Sequence, residues 1–139
     1  MVWILPGNLA YESSRSDTYG PQFLLDEDVV MVSFNFRLGP LGFLSLGTPG
    51  VSGNQALRDQ SLALAWVQDN IHLFGGDKDK VTIFGESTGS WCVFYHLLSP
   101  LSAGLFRAAI GKYLLMVMMI TMVRGHKGPY KNPVGTQKY

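Results

Sequence analysis

An α/β fold built on a mainly parallel sheet is what this sequence predicts, and three observations carry the prediction. Short apolar runs rich in β-branched residues alternate with a helical stretch, in the order strand, helix, strand. The helical stretch has one continuous apolar face. A second junction, strand to tight turn to helix, comes directly after it. Parallel strands need a crossover of a dozen or more residues between them, and a helix is the usual one.

Taken in order, Val2 to Leu5 is an apolar run stopped by Pro6-Gly7-Asn8, and Asp28 to Phe36 (DVVMVSFNF) is a longer one. Both are expected to be strands, the second buried on both faces because much of it is continuously apolar. The segment between them, ESSRSDTYGP, is a polar, turn-rich loop, and Gly39-Pro40 and Thr48-Pro49-Gly50 punctuate the stretch after Phe36. From Asn54 to Phe74 the residues Leu57, Leu64, Val67, Ile71 and Phe74 fall on one helical face, and Ser52 with Gln55 is placed to form a capping box. Gly75-Gly76-Asp77 stops that helix. Lys80 to Phe84 reads as the next strand, and Trp91 to Leu98, closed by Ser99-Pro100, as the next helix.

Composition fits one ordinary globular unit: 139 residues, 47% apolar, 15% charged, a net charge of +1. Collagen, a disulfide scaffold and a disordered chain are excluded. The single cysteine, Cys92, forms no internal disulfide, and no Cys/His cluster suggests zinc. MVWILPG begins without a basic leader and carries no visible signal peptide. The longest uninterrupted uncharged apolar run, Tyr113 to Val123, falls short of the ~20 residues that span a bilayer. All ten acidic residues lie at or before Glu86, so the last third is purely basic.

The strand-to-helix junction holds Gly85-Glu86-Ser87-Thr88-Gly89, a G-x-S-x-G pattern. By itself the pattern is weak; a strand leading in and a helix leading out give it meaning. Such a turn holds Ser87 in a strained conformation with its hydroxyl above the sheet, and Gly85 and Gly89 leave room for the close approach of strand and helix. The amide of Thr88, at the start of the helix, faces where an oxyanion would form. The plain alternative is a Gly-rich turn with an ordinary serine.

The stretch GNQALRDQSLALAWVQDNIHLFGGDKDKVTIFGESTGS, continuing into YHLLSPLSAGLF and preceded by DEDVVMVSFNFRLGPLGFLS, resembles the type-B carboxylesterases and cholinesterases of the α/β-hydrolase fold. The resemblance runs from about Met1 to Ile110. It implies a partial α/β-hydrolase domain over residues 1–110, with a divergent apolar, then basic, tail over 111–139. It also implies a serine carboxylic-ester hydrolase that takes a small-molecule ester, needs no cofactor or metal, binds no nucleic acid, and belongs to a mostly secreted or membrane-associated group.

By the same resemblance Ser87 is the acyl-forming nucleophile, Glu86 its acidic neighbour, and Thr88 an oxyanion donor where the family usually has Ala. Further donors come from a glycine loop after a VWI-like strand, present here as Val2-Trp3-Ile4. Gly7 retains one donor position, Asn8 replaces the other donor glycine, and Pro6 replaces a glycine beside them. The family's triad acid and histidine lie several hundred residues past the serine, whereas 52 residues come after Ser87 here. None of the three histidines is a convincing base: His96 reads as a packing residue, His72 sits near a helix end and His126 lies in the basic tail. A truncated or mis-spliced product without activity is therefore expected. Its sheet of about three strands should fold poorly, with the Met-rich stretch as a frayed apolar helix and no membrane contact through the tail. The rival readings are a non-catalytic esterase-like binding or adhesion domain, or a product without function.

Overall fold

The polypeptide in the computed structural model is described for residues 1–112 and for the backbone of residues 121–124. Strand β1 (Val2–Ile4) leads through a long loop and a short helix, α1 (Gln22–Leu25), to β2 (Val32–Ser33). Helix α2 (Gly39–Phe43) and a separate antiparallel hairpin of β3 (Ser45–Thr48) and β4 (Val51–Ser52) come next. The long helix α3 (Gln55–Asn70) then crosses to β5 (Thr82–Glu86), which runs into α4 (Thr88–Leu98), β6 (Ala108–Lys112) and β7 (Thr121–Arg124). These strands form a five-stranded sheet in the order β2-β1-β5-β6-β7. All its pairings are parallel except β6 with β7.

The expected α/β architecture, a mainly parallel sheet with flanking helices, is thus present, with more sheet than the three strands expected. Alternation along the strands is clean. Val2, Ile4, Ile83, Gly85, Ala109 and Gly111 are buried, while Trp3, Phe84, Glu86 and Ile110 are only half-buried. Side chains alternate between the two faces of a strand, so the first set shares one face, and Gly85 meets α4 there. Leu64 and Val67 of α3 and Val93 of α4 join them in one apolar core.

Several local expectations are corrected. The run Asp28 to Phe36 pairs only at Val32 and Ser33, against β1, and it is not buried on both faces: Val32 is intermediate and Ser33 exposed. It ends the strand order among the described residues, so one side of it lacks a neighbour. The capping box does not form. Gly53 (φ +79) and Asn54 (φ +59) turn the chain left-handed into α3, and no side chain caps the helix.

The helix becomes a tighter 3₁₀ turn over Ile71–Phe74, closed by Gly75 at φ +78. A 3₁₀ turn advances 120° per residue rather than 100°, which rotates Phe74 off the apolar face; it is 60% exposed. The next strand starts later than expected because Asp77 accepts from the Asp79 amide at 2.9 Å and caps a 3₁₀ turn over Lys78–Lys80. Within the stretch expected as a frayed helix, Thr121 to Val123 instead belong to β7, whose backbone pairs with the otherwise unpaired edge of β6. The rest of the Met-rich run and His126 lie outside the described residues.

Candidate active site

Helix α4 starts at Thr88, directly after Ser87, and includes the Trp91 to Leu98 stretch read as helical, so Ser87 is the whole turn between β5 and α4. Its backbone sits at φ 54°, ψ −124°, a conformation disfavoured for any residue with a Cβ. Hydrogen bonds hold it there. The Ser87 amide donates to the Lys112 carbonyl at 3.0 Å, and the Ser87 carbonyl accepts from the Ser90 amide at 3.0 Å.

Two glycines let helix and sheet close around this turn. A Cβ on Gly85 would lie 2.6 Å from the carbonyl carbon of Gly89. One on Gly89 would collide with the carbonyl oxygen of Ile4 and lie 2.9 Å from that of Leu5. The first turn of α4 therefore rests on the backbone of β1 and the residue after it. Thr88 is 5% exposed, and as the first helical residue its amide has no partner within the helix. Among the described residues the hydroxyls of Thr88 and Ser90 are buried without a partner.

Ile4 registers against Gly85, so the loop beginning at Leu5 leaves the sheet at the same end as Ser87. Ligand sites of parallel sheets lie at that end of the strands. Gly7 (φ +91), Asn8 (+53), Leu9 (+59) and Glu12 (+109) all occupy left-handed or glycine-like backbone. The Gly7 carbonyl accepts from the amides of Ala10 and Tyr11 at 3.0 and 3.1 Å, and the Leu9 carbonyl accepts from the Gly39 amide at 2.7 Å. Asn8 is exposed. On the half-buried face Trp3 packs on Phe84 and Tyr19, with ring centroids 4.9 and 5.5 Å apart. The Tyr19 phenol is pushed above its ordinary range, first by desolvation and then by the charges of Glu12, Glu86 and Tyr11.

His96 lies eight residues into α4 from Thr88, about 12 Å along the helix, and both its ring nitrogens are engaged. Nδ1 is 2.7 Å from the Ser102 hydroxyl and Nε2 is 2.8 Å from Gln60 Oε1. The Gln60 amide in turn donates to Cys92 Sγ at 3.4 Å. With Gln60 Oε1 as acceptor, Nε2 carries the proton and Nδ1 accepts from Ser102. Burial pushes the imidazole down to about 4 and the Cys92 thiol up. The imidazole is therefore neutral and fully bonded inside the core. His72 lies exposed in the 3₁₀ turn after α3.

Among the described residues no group of three His, Cys, Asp or Glu could hold a metal ion, and no helix is long and apolar enough to cross a membrane. Two features of the fold lie beyond what the sequence pattern predicts. The buried network around Gln60 had a signal, a polar residue inside the apolar stripe from Leu57 to Val67. Glu12 beside Gly7 had none.

Known proteins share this outline. The family model described as "Carboxylesterase family" matches residues 1–120. Cholinesterase 1 of Branchiostoma lanceolatum is 52% identical over 111 residues, 79% of this chain and 31% of that protein. Juvenile hormone esterase of Tribolium castaneum is 48% identical over 112 residues, 81% of this chain and 19% of that protein. The crystal structure of juvenile hormone esterase from Manduca sexta, with OTFP covalently attached, superposes with a TM-score of 0.77 at 45% identity. That match covers 79% of this chain and 21% of the other. The chain thus spans between about a fifth and a third of the length of these relatives.

Proposed function

Because this chain belongs to the carboxylesterase family, we propose that it carries the acyl-accepting half of a serine carboxylic-ester hydrolase, with Ser87 as nucleophile. The observation that carries the reading is the strained turn at Ser87 between β5 and α4. Strain of this kind concentrates at functional positions and costs of order 1–3 kcal/mol where nothing uses it. In the reaction Ser87 Oγ forms a bond to the ester carbonyl carbon while its proton passes to a base. The carbonyl oxygen becomes an oxyanion, the bond to the alcohol breaks with a proton delivered to that alcohol, and water releases the acid from the acyl-enzyme. Thr88 supplies an amide to the oxyanion, Gly7 a second, and Asn8 takes the place of the third donor. Gly85 and Gly89 permit the turn, and Glu86 sets a negative charge beside it.

The imidazoles among the described residues do not serve as the base, since His96 has both nitrogens bonded in the core. Among the described residues nothing is placed to serve as the base or acid for Ser87, and on this reading the chain of 139 residues is inactive alone. The substrate is a small-molecule carboxylic ester and no cofactor takes part. A secreted setting fits the group, which includes a venom carboxylesterase of Apis mellifera. One observation favours a second reading, a non-catalytic binding or adhesion domain: three residues with side chains, Asn8, Leu9 and Glu12, occupy positive φ in the oxyanion loop.

The two readings separate when residues 1–110 of this chain replace the matching segment of the Tribolium castaneum esterase. The graft is expected to take a phosphonate label on Ser87. A soluble graft that takes none contradicts the enzymatic reading.

A further inference from the structure

Away from Ser87, a cleft of about 200 Å³ lies between the first half of α3 and the last turn of α4. Leu57, Leu101 and the Tyr95 ring give it apolar walls, and Asn54, Ser61, His96, Ser99 and the exposed Arg58 line it as well. Its size is below the roughly 300–1,000 Å³ of sites for drug-sized ligands, which restricts it to a short or single-ring molecule.

The polarity of the lining is one-sided. No Asp or Glu lines the cleft. The neighbouring Asp59 is turned to Arg37, with hydrogen bonds of 2.8 and 2.6 Å to its guanidinium. Arg58 forms no ion pair among the described residues. The Ser61 hydroxyl donates to the Leu57 carbonyl at 3.1 Å and also meets Ser102, and the His96 nitrogens are taken by Ser102 and Gln60. Among the described residues lining the cleft, Arg58 alone carries a charge, beside apolar walls that reward a hydrocarbon body.

We infer that this cleft binds a small monocarboxylate with an apolar body, such as benzoate, through Arg58. The inference stands apart from the role of Ser87, because no residue of the turn touches the cleft. Its ligand class is that of the acid an ester hydrolase releases. The cleft and Ser87 sit at opposite ends of α4.

Titration of the full chain with sodium benzoate, monitored by amide shifts at Ser61, Tyr95 and Ser99, tests it. Saturable shifts are expected at these residues. Benzamide, the neutral analogue, and inorganic phosphate should each bind at least about tenfold more weakly, the usual value of a charge-assisted bond. Arg58→Gln should lose a similar factor while keeping the parent thermal transition, and Arg107→Gln should bind benzoate like the parent. Absence of saturable binding, equal binding of benzamide or phosphate, or full affinity in Arg58→Gln overturns the assignment.

Discussion

The carbonyl oxygen of Ile4 occupies the space that a side chain on Gly89 would need. One strand and one helix are thereby locked together at the point where Ser87 is presented. The Gly89→Ala variant should lose at least about 2 kcal/mol, within the range for overpacking against backbone that has nowhere to go. Gly50→Ala, with nothing within 4 Å of the added carbon, should stay within about 0.5 kcal/mol of the parent. Urea unfolding of the two variants against the parent decides between a tight contact and a loose one.

Strain at Ser87 has its own signature. Ser87→Gly admits the observed φ and ψ without penalty and should gain about 1 kcal/mol, after the extra chain entropy of glycine is subtracted. Ser87→Ala keeps the Cβ and should gain nothing. Equal stability of the two variants in the same unfolding measurement would show that the turn is relaxed.

Much of this arrangement was legible in the sequence. The parallel strands around Val2 and Ile83, the crossover helix between them and the strand-to-helix turn at Ser87 derive from apolar periodicity and from glycine placement, which are local properties. The features that were not legible depend on neighbours. Phe74 keeps the helical spacing yet lies exposed, because the last turn tightens to 3₁₀. The Asp28 to Phe36 run is apolar enough for a central strand, but among the described residues only β1 pairs with it. Gln60 stands out in the sequence as a polar residue inside the apolar stripe, but what it bonds to depends on the approach of His96 and Cys92 from α4. The conformation of Glu12, at φ +109, belongs to a loop shape that no pattern in the sequence announces.

Acid should destabilise the chain through His96. Its folded pKa of about 4 lies below the ordinary 6.5, so between these values the unfolded chain binds a proton that the folded chain refuses. The stabilisation is complete above pH 6.5 and is lost as pH falls toward 4, to a total of about 3 kcal/mol. Asp59, held below 3.8 chiefly by its hydrogen bonds to Arg37, adds its loss only at lower pH. Unfolding free energy measured from pH 7 to 4 should fall in the parent. The His96→Gln variant should show a flatter profile over the same window.

The isolated chain should hydrolyse p-nitrophenyl acetate no faster than its Ser87→Ala variant. With no base beside it among the described residues, the Ser87 hydroxyl keeps the weak nucleophilicity of an ordinary serine, and loss of a triad base lowers turnover on the order of a millionfold. A serine-dependent rate in the isolated chain would mean that an imidazole reaches Ser87.

Turnover of p-nitrophenyl acetate by the graft of residues 1–110 into the Tribolium castaneum esterase tests the central claim most directly. Ser87 is predicted to act as the nucleophile in that setting. The altered loop at Pro6 and Asn8 should lower kcat relative to the parent esterase, on the order of a hundredfold for one lost oxyanion donor. The rate that remains should vanish in the Ser87→Ala graft. A folded graft whose rate is the same with Ser87 and with alanine would contradict the assignment.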